Sequence, residues 1–507
     1  MNAARAQAPA LNRGMITGTV MLTSILQTLD NTIANVALPR MQGALTATQD
    51  QMTWVLTSYI VAAAVMTPLT GWLAGAFGRK KLFLVSVAGF TLTSMLCGLA
   101  QSLPQMVLFR FLQGLAGAAL VPMSQAVLFD IYPPAQHGKA MAAWGQGVLL
   151  GPMLGPILGG WLTENYSWRW VFYINLPLGI LAFLGVLAFL PKGETRRTRF
   201  DFFGFALLSL AIAALQLTLD RGPLKDWFGS TEIWIEAAAA GLALYLFLVH
   251  SFTHRAPFIR PALFRDRNFL TGNVFIFVVG IVLFATLALL PPMLQELMGY
   301  PVSTAGVLTA PRSIGSLLAM WIAGRMVGRV DSRLIIAAGF LCTVFSLWQM
   351  TRFDLAMNGW PVFWSGVFQG LGTGIAYVPM AALTFATLNP ALRNEGTALF
   401  SLMRNLGSSI GISVVQMLLI RNTQVVHATL GEHLTPYNLA ARDPGLAAQL
   451  AHGAAALNAE LTRQAAMVAY LDDFQLMLWL TLGALPFLLL VRTPRKIAGA
   501  APPVAVE

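Results

Sequence analysis

The chain has 507 residues, of which 56% are hydrophobic and only 10% are charged, and its mean hydropathy is +0.66. Soluble globular proteins carry about 25% charged residues, so this composition excludes an ordinary water-soluble domain. A formal net charge of +11 would suggest nucleic-acid binding in a soluble protein. Here the basic residues concentrate in the connections between apolar stretches, which is a signal of membrane topology, and no nucleic-acid partner is expected.

Fourteen apolar stretches follow one another along the chain, each long enough to cross a bilayer core of about 30 Å as a helix. We label them α1 to α14: 15–38, 52–75, 82–101, 106–129, 140–163, 170–191, 202–219, 232–251, 269–292, 304–324, 334–351, 361–387, 396–420 and 472–491. Strands of a membrane barrel would alternate in runs of about ten residues. The predicted fold class is therefore an all-α membrane protein with fourteen transmembrane helices.

The distribution of charge and cysteine predicts where the protein resides. Lys and Arg are enriched in the tails and in every second connection, which by the positive-inside rule places both termini in the cytoplasm. The first apolar run is too long for a cleavable signal, so we expect the protein to stay in the lipid bilayer. The two cysteines, Cys97 and Cys342, lie in predicted helices and provide neither a disulfide framework nor a metal site.

A repeated string divides the chain into two halves. QGLAGAALVPM at 113–123 in α4 returns as QGLGTGIAYVPM at 369–380 in α12. We predict a cytoplasmic tail at 1–14, an N-terminal six-helix half at 15–191, an inserted pair α7–α8 with its flanking loops at 192–268, a C-terminal half at 269–492 and a second tail at 493–507. Two parallel halves of this kind can rock about a central site, which is a mechanism for transport.

Asp30 is the candidate for ion coupling. It lies well inside α1, beside a polar stripe that includes Gln27, Asn31 and Asn35 at helical spacing. An acidic residue inside a membrane helix is costly and is expected to face the bundle interior or water. Asp30 is predicted to carry a proton. The alternative is a permanently hydrogen-bonded side chain that only holds α1 in place.

Arg110 in α4 is predicted to tune the protonation of that carboxylate, because a nearby cation favours the ionised form. Its alternative role is to reach the interface or bond backbone carbonyls. No GxxxxGK[ST] string is present to bind ATP phosphates. We therefore expect no cofactor, with an ion gradient as the energy source.

Further polar residues inside predicted helices are candidates for substrate contact, or else serve as hydrogen-bond partners between helices. In addition to Gln27, Asn31 and Asn35, they are Gln113, Gln146, Arg312, Gln369, Thr373, Tyr377 and Arg404.

The segment 422–471 is the one sizeable element predicted outside the membrane on the face opposite the tails. Its alanine-rich stretch 444–470 has leucines at helical spacing, which predicts a helical hairpin or cap. Such a cap suits a docking surface, and a plain covering loop is equally compatible. The histidines in this segment lack metal-ligand spacing.

Several ordered motifs carry a resemblance to a known family. They include LDNTIANVALP (29–39), GWLAGAFGRKKLF (71–83), GPMLGPILGGWL (151–162), WRWVFYINLPLG (168–179) and DRGPLKDWF (220–228). In these motifs the chain resembles the fourteen-helix drug:proton antiporters of the major facilitator superfamily, especially their EmrB type. The resemblance implies a bacterial inner-membrane exporter of hydrophobic compounds that works with a periplasmic adaptor (a membrane fusion protein) and an outer-membrane channel.

The resemblance also implies roles for particular positions. Asp30 and Arg110 match the proton-coupling acid and arginine. The antiporter motif of α5 comprises Gly151, Pro152, Gly155, Pro156, Gly159 and Gly160. The cytoplasmic gating loop retains Gly71, Gly78, Arg79 and Lys80. Gly75 and Ala76 stand where the family usually has Asp followed by Arg, which places gating through this loop in question.

Other functions remain as alternatives. Within transport, the rival is an exporter dedicated to one endogenous lipid, siderophore or metabolite. A membrane enzyme would need convergent catalytic side chains within the helices, and a scaffold would not need Asp30. We therefore expect a transporter and no enzyme.

Overall fold

The computed structural model describes residues 12–191, 195, 199–433 and 454–492, and this part of the chain is built from helices. The predicted elements occur in order: α1 Arg13–Ala44, α2 Gln49–Phe77, α3 Arg79–Leu99, α4 Leu103–Gly117 and Leu120–Ile131, α5 His137–Asn165, α6 Trp170–Tyr173 and Asn175–Phe189, α7 Phe202–Arg221, α8 Thr231–Thr253, α9 Arg267–Pro292, α10 Val302–Thr309 and Pro311–Met326, α11 Ser332–Met350, α12 Trp360–Thr384, α13 Arg393–His433 and α14 Ala454–Ala484. The all-α fold class is confirmed.

Within the described ranges, 13 helical stretches are both long and apolar enough to cross a membrane, and they correspond to α2 through α14. The remaining helix, α1, has 32 residues and ample length, but its polar stripe lowers its hydropathy. The total of fourteen spans therefore stays a prediction at α1. The polarity of α1 has a structural reason, because Asp30, beside this stripe, is buried in the bundle.

Prolines account for the interruptions in two helices. α4 breaks at Ala118 and Ala119, and Pro122 follows four residues after Ala118. A proline has no N–H to donate to the carbonyl four residues earlier, so that turn of the helix is weakened. α10 breaks at Ala310 for a related reason, since Pro311 begins its second segment.

The predicted bounds of the last two helices are wrong. α13 continues to His433 instead of ending at 420, and α14 begins at Ala454 instead of 472. The predicted hairpin in 422–471 is thus, at both of its ends, a continuation of the two membrane helices, while residues 434–453 lie outside the described part. The extensions contact each other: His427 Nε2 lies 2.9 Å from Asn458 Oδ1, and Asn422 lies 3.4 Å from Asp472.

Contacts between connections define one end of the bundle, which we call the tail side. Thr17, near the start of α1, hydrogen-bonds to Tyr132 after α4, and Asn268 at the start of α9 bonds the backbone of Arg492. Within the halves α1 packs on α5, α2 on α4, α9 on α13 and α10 on α12. The halves meet where α5 packs on α10 and α2 on α13, and α7 lies against both α2 and α13.

Asp201 joins α7 to α8 and to the connection that follows α8. This carboxylate caps α7 by accepting from Gly204 N at 2.9 Å, and it also bonds Phe258 N and His250 Nε2, each at 2.9 Å. Burial tends to raise the pKa of Asp201, but these donors outweigh it and hold the pKa below its ordinary value. His254 lies beside this group, and its Nδ1 accepts from Ala256 N. The hydrogen bonds of this cluster therefore hold α7, α8 and the following connection together.

The glycines of α5 allow α1 to approach very closely. A Cβ added at Gly151 would lie 2.2 Å from Thr28 Oγ1, and one at Gly155 would lie 2.1 Å from Thr32 Oγ1. Gly159 faces α1 in the same way, with Ile33 Cγ1 2.8 Å away. Small residues at four-residue spacing thus form the α1–α5 interface.

A proline and a threonine complement each other in this interface. Pro152 cannot bond the carbonyl of Val148, four residues earlier. Thr28 Oγ1 of α1 donates to that carbonyl at 3.2 Å. Gly160 differs from the other glycines of the motif, because an added Cβ there meets nothing within 4 Å.

We expect Gly155→Ala to destabilise the protein and Gly160→Ala to leave it unchanged or slightly more stable. The first adds a methyl group to a filled contact, which costs about 1–3 kcal/mol. The second gains only helix propensity, up to about 1 kcal/mol. Thermal unfolding of the purified variants in one detergent is the measurement, and equal losses in both variants would contradict the proposed packing.

Candidate functional site

A buried ion pair lies at the centre of the N-terminal half. Arg110 Nη1 of α4 is 2.6 Å from Asp30 Oδ2 of α1, and the two side chains are 1% and 0% exposed. Removing two charges from water costs several kcal/mol per ion unless pairing and hydrogen bonds compensate. The surrounding residues supply that compensation.

Neutral donors complete the coordination of Asp30. Gln113 Nε2 and Asn175 Nδ2 donate to its Oδ1 at 2.9 and 2.7 Å. Asn175, from α6, also bonds Ser94 Oγ of α3 at 2.9 Å. The carboxylate therefore has a donor from two further positions besides the arginine, and all of these partners are buried.

Arg110 also has contacts besides the ion pair with Asp30. Arg110 Nη1 donates to Gln113 Oε1 at 2.8 Å, and its Nε donates to the carbonyl of Val55 in α2 at 3.3 Å. The guanidinium lies 4.3 Å from the ring centroid of Tyr59, within the range of a cation–π interaction. Both charges thus have several described partners, and the network joins five helices of this half.

Protonation of Asp30 and release of Arg110 are linked by this geometry. Adding a proton to the carboxylate leaves the guanidinium as an unpaired buried charge, which is unfavourable in a low-dielectric interior. Conversely, moving Arg110 away leaves an ionised carboxylate that gains by accepting a proton. The pair is sealed in this conformation, so either event requires the helices to move.

The repeated glutamines occupy matching positions with different partners. Gln113 donates to Asp30 at 2.9 Å, and Gln369 donates to Thr286 Oγ1 of α9, also at 2.9 Å. Gln369 Oε1 in turn accepts from Arg312 Nη1 at 3.3 Å. The C-terminal half therefore retains the glutamine and a buried arginine, but it has a hydroxyl where the N-terminal half has the acid.

A second polar group lies where the halves meet. Gln125 Nε2 donates to the Tyr377 hydroxyl at 3.1 Å across the interface, and the Tyr377 ring stacks with Trp144 at 6.3 Å. Arg404 of α13 lies within hydrogen-bonding reach of the same hydroxyl. Arg404 is half-buried, and among the described residues it has no ion-pair partner, with Nε left unbonded.

The structure separates the predicted substrate residues into two groups. Gln113, Gln369, Thr373 and Arg312 are buried within the halves and bonded to neighbouring helices. Gln27, Asn31, Gln146 and Arg404 are half-buried, Asn35 is exposed and Tyr377 is buried between the halves. Gln146 bonds the Leu317 carbonyl of α10 at 3.1 Å. Their roles in substrate contact stay predictions.

On the tail side, the two halves are in close contact. A Cβ at Gly71 would lie 2.9 Å from the Cα of Glu395, and one at Gly138 would lie 2.5 Å from Val327 Cβ. Between the described residues, the hydrogen bonds and close glycine contacts that join the halves lie from the tail side to about mid-bundle. The helices are therefore closed against each other at this end.

Ion pairs surround the predicted gating loop, and the pair of Asp130 with Arg393 joins the two halves. Asp130, at the end of α4, pairs with Arg79 of the loop and with Arg393 Nη1 of the other half, the latter at 2.9 Å. Glu395 pairs with Arg260 at 2.9 Å beside Gly71. These partners were absent from the sequence prediction, although opposite charges follow the repeated string in both halves.

The other residues of the loop shape its backbone or contact the backbone of a neighbouring helix. Gly78 has a φ of 85°, a conformation that favours glycine, and it separates α2 from α3. Lys80 Nζ donates to the Leu187 carbonyl at 2.7 Å. The position of Gly75 is open, with nothing within 4 Å of an added Cβ. Asp130 and Arg393 thus provide a charge bridge without the acid that this loop lacks.

Sequence reasoning also missed Asn175, Tyr59 and Ser94. Asn175 lies in the quoted motif WRWVFYINLPLG and is an isolated amide in an apolar helix, which is a usable signal. Tyr59 and Ser94 carry no such signal, because hydroxyl groups are common in membrane helices. Asp473, a buried acid in α14, was missed as well.

Known proteins resemble this chain over most of its length. The chain is 38% identical over 425 residues to the fatty acid resistance protein FarB of Neisseria gonorrhoeae, covering 83% of this chain and 84% of that protein. It is 37% identical over 427 residues to the multidrug export protein EmrB of Escherichia coli K12, covering 84% and 83%.

Solved structures share the fold at low sequence identity. The proton:xylose symporter XylE matches with a TM-score of 0.61 at 14% identity, covering 92% of this chain and 94% of that one. The human organic anion transporter MFSD10 matches with a TM-score of 0.59 at 14% identity, covering 94% and 100%. The Major Facilitator Superfamily model matches residues 20–412. This multi-pass membrane protein therefore belongs to the Major Facilitator Superfamily of transporters.

Proposed function

We propose that this protein exports hydrophobic compounds from the cytoplasm or inner leaflet by alternating access, in exchange for protons, with Asp30 as the proton site. The observation that carries the proposal is the sealed Asp30–Arg110 pair, in which proton binding and arginine release are linked. The relatives named for multidrug export support the substrate class. The tail side is the cytoplasmic side in this proposal, and the described conformation is closed there.

Asp30→Asn should abolish proton exchange driven by substrate. The amide keeps the shape but cannot be ionised or exchange a proton. Inverted vesicles with a preformed pH gradient are challenged with lipophilic cations, neutral drugs and weak acids, and vesicles without the protein report passive leak. Wild-type protein should dissipate the gradient with its substrates, while Asp30→Asn should not.

The control for this experiment is Asp226→Asn, which alters an exposed carboxylate in the α7–α8 connection. It should behave as the wild type. If labelled substrate is exported by Asp30→Asn with undiminished proton exchange, the carboxylate only holds α1 in place and the proposed coupling is wrong.

The ion pairs on the tail side are proposed to hold the closed gate. Asp130→Asn removes the acceptor shared by Arg79 and Arg393 and should populate the tail-open state about fivefold more, since partly exposed pairs contribute about 0.2–1 kcal/mol each. The measurement is the rate at which a membrane-impermeant maleimide labels Ala142→Cys, a buried position facing Gly324, in inverted vesicles.

Asp331→Asn is the matched control for the gate. Asp331 lies on the same side, and the described contacts give its side chain a cap bond to Arg333 N, which an asparagine can also accept. Its labelling rate should match the wild type. Equal rates in Asp130→Asn and the wild type would show that Asp130 does not stabilise the closed gate.

A second candidate substrate class is amphipathic carboxylates. The supporting observation is Arg404, a half-buried cation at the meeting of the halves with no acidic partner among the described residues. Arg312 likewise has an amide and no carboxylate as its described partner. A carboxylate on a hydrophobic body would supply the missing charge, and the relative named for fatty acid resistance agrees with this chemistry.

Arg404→Gln should weaken export of a long-chain carboxylate about tenfold, which corresponds to losing a charged hydrogen bond of about 1.5 kcal/mol. Export of its methyl ester should change little. Arg421→Gln, an exposed position on the same helix, is the control. If export of the acid and of the ester falls equally, Arg404 does not recognise the carboxylate.

We also propose a bacterial inner-membrane location and a partnership with a periplasmic adaptor and an outer-membrane channel. The extensions of α13 and α14 support this, because they continue as a contacting helical pair beyond the length that a bilayer core requires. A protruding pair on the side opposite the tails provides a surface on which an adaptor can dock.

A further inference from the structure

The C-terminal half contains a buried acid that takes no part in the Asp30–Arg110 network or in the contacts between the halves. Asp473 of α14 is 1% exposed, and neither of its carboxylate oxygens has a hydrogen-bond partner among the described residues. Asp30 is equally buried but has a cation and two amide donors. The carboxylate of Asp30 is thus surrounded by donors, whereas that of Asp473 has none among the described residues.

No cation in the described region compensates for Asp473. The adjacent charges that act on it or on the neighbouring Tyr470 are the carboxylates Asp472 and Glu296. The cations on surrounding elements are otherwise engaged or exposed: Arg352 lies 3.8 Å over the Trp348 ring, Arg463 bonds the Leu297 carbonyl and Glu460, and Arg421 is exposed. In this conformation, an unpaired carboxylate in such a place favours the neutral, proton-bearing form.

The position of Asp473 suggests from which side a proton arrives. From Asp473 the chain runs as α-helix to Ala484 and as 3₁₀-helix over Leu485–Leu490, a distance of about 30 Å to the tail side. This is about the thickness of a bilayer core. Asp473 therefore lies near the membrane face opposite the tails, beneath the extensions of α13 and α14.

The neighbouring backbone is irregular. α9 ends in a π-helical turn, Met293–Leu297, which packs against α14, and π-turns inside helical segments are frequent at functional sites. Glu296 on this turn is exposed, while Tyr470 and Asp473 are buried one helical turn apart. An exposed carboxylate and a buried carboxyl thus lie near the same tyrosine.

Asp473 is also connected to the core of its half. Met477, one turn further along α14, has its Sδ 3.8 Å from Thr286 Oγ1, the hydroxyl that accepts from Gln369. Thr286 is the counterpart of Asp30 in the repeat. If α14 shifts when Asp473 gains or loses a charge, the shift would be transmitted through Met477 to Thr286, the position that matches Asp30.

We propose that Asp473 is a second proton-binding site, loaded from the side opposite the tails, and that it contributes one proton to the transport cycle. The coupling part of this inference rests on the proposed function. The proton-binding part does not, because it concerns the carboxyl alone.

The first experiment measures the carboxyl directly. Infrared difference spectra of purified protein are recorded across a pH series, and the wild type should show a protonated carboxyl C=O band that titrates. Asp473→Asn should lose that band and Asp473→Glu should restore one, while Asp472→Asn, the matched control, should keep it. A band that never titrates, or one that persists in Asp473→Asn, overturns the inference.

The second experiment counts protons per substrate in proteoliposomes from paired proton and labelled-substrate fluxes. Asp473→Asn should lower the ratio by one, with Asp472→Asn and Asp473→Glu at the wild-type ratio. An unchanged ratio in Asp473→Asn overturns the coupling role. If wild-type protein moves substrate with no protons at all, the proposed function fails, and the infrared titration still decides whether Asp473 binds a proton.

Discussion

A carboxylate and a guanidinium sealed together inside a membrane bundle constrain everything around them. Neither charge of the Asp30–Arg110 pair can be left without partners in a medium of low dielectric constant. The groups that satisfy them come from α1, α2, α3, α4 and α6. The arrangement of five helices is thus tied to one pair, and the sixth, α5, is bound to α1 through the glycine contacts. A change in the pair must be accompanied by movement of these helices.

The two halves share a repeat but differ in chemistry. Gln113 and Gln369 make the same kind of bond at the same distance, yet one faces a carboxylate and the other a hydroxyl. The N-terminal half is therefore internally neutralised. The C-terminal half has buried or half-buried arginines without described acidic partners, and its buried acid, Asp473, lies elsewhere. This asymmetry suits a division in which one half exchanges a proton at its centre and the other presents positive charge where the halves meet.

The tail side contains charge contacts that the loop motif did not indicate. The loop between α2 and α3 has Gly75 where the family resemblance implied an acid, and the space beside Gly75 is open. Asp130 contacts both the loop arginine and Arg393 of the opposite half. Because such a contact depends on where charges meet in space, it can join residues from separate parts of the chain that no local motif links.

The helical class, the order of the elements, the repeat and Asp30 as a buried acid could be predicted from the sequence alone, because hydrophobic length and a charge within an apolar run are local signals. The end of α13 and the start of α14 could not, since both helices continue beyond their apolar stretches. The partners of Asp30, the charge bridge at Asp130 and the isolation of Asp473 emerge only once the helices are packed. Each depends on side chains that are 50 to more than 200 residues apart in the chain, and no local pattern records which of them the packing of the helices brings into contact.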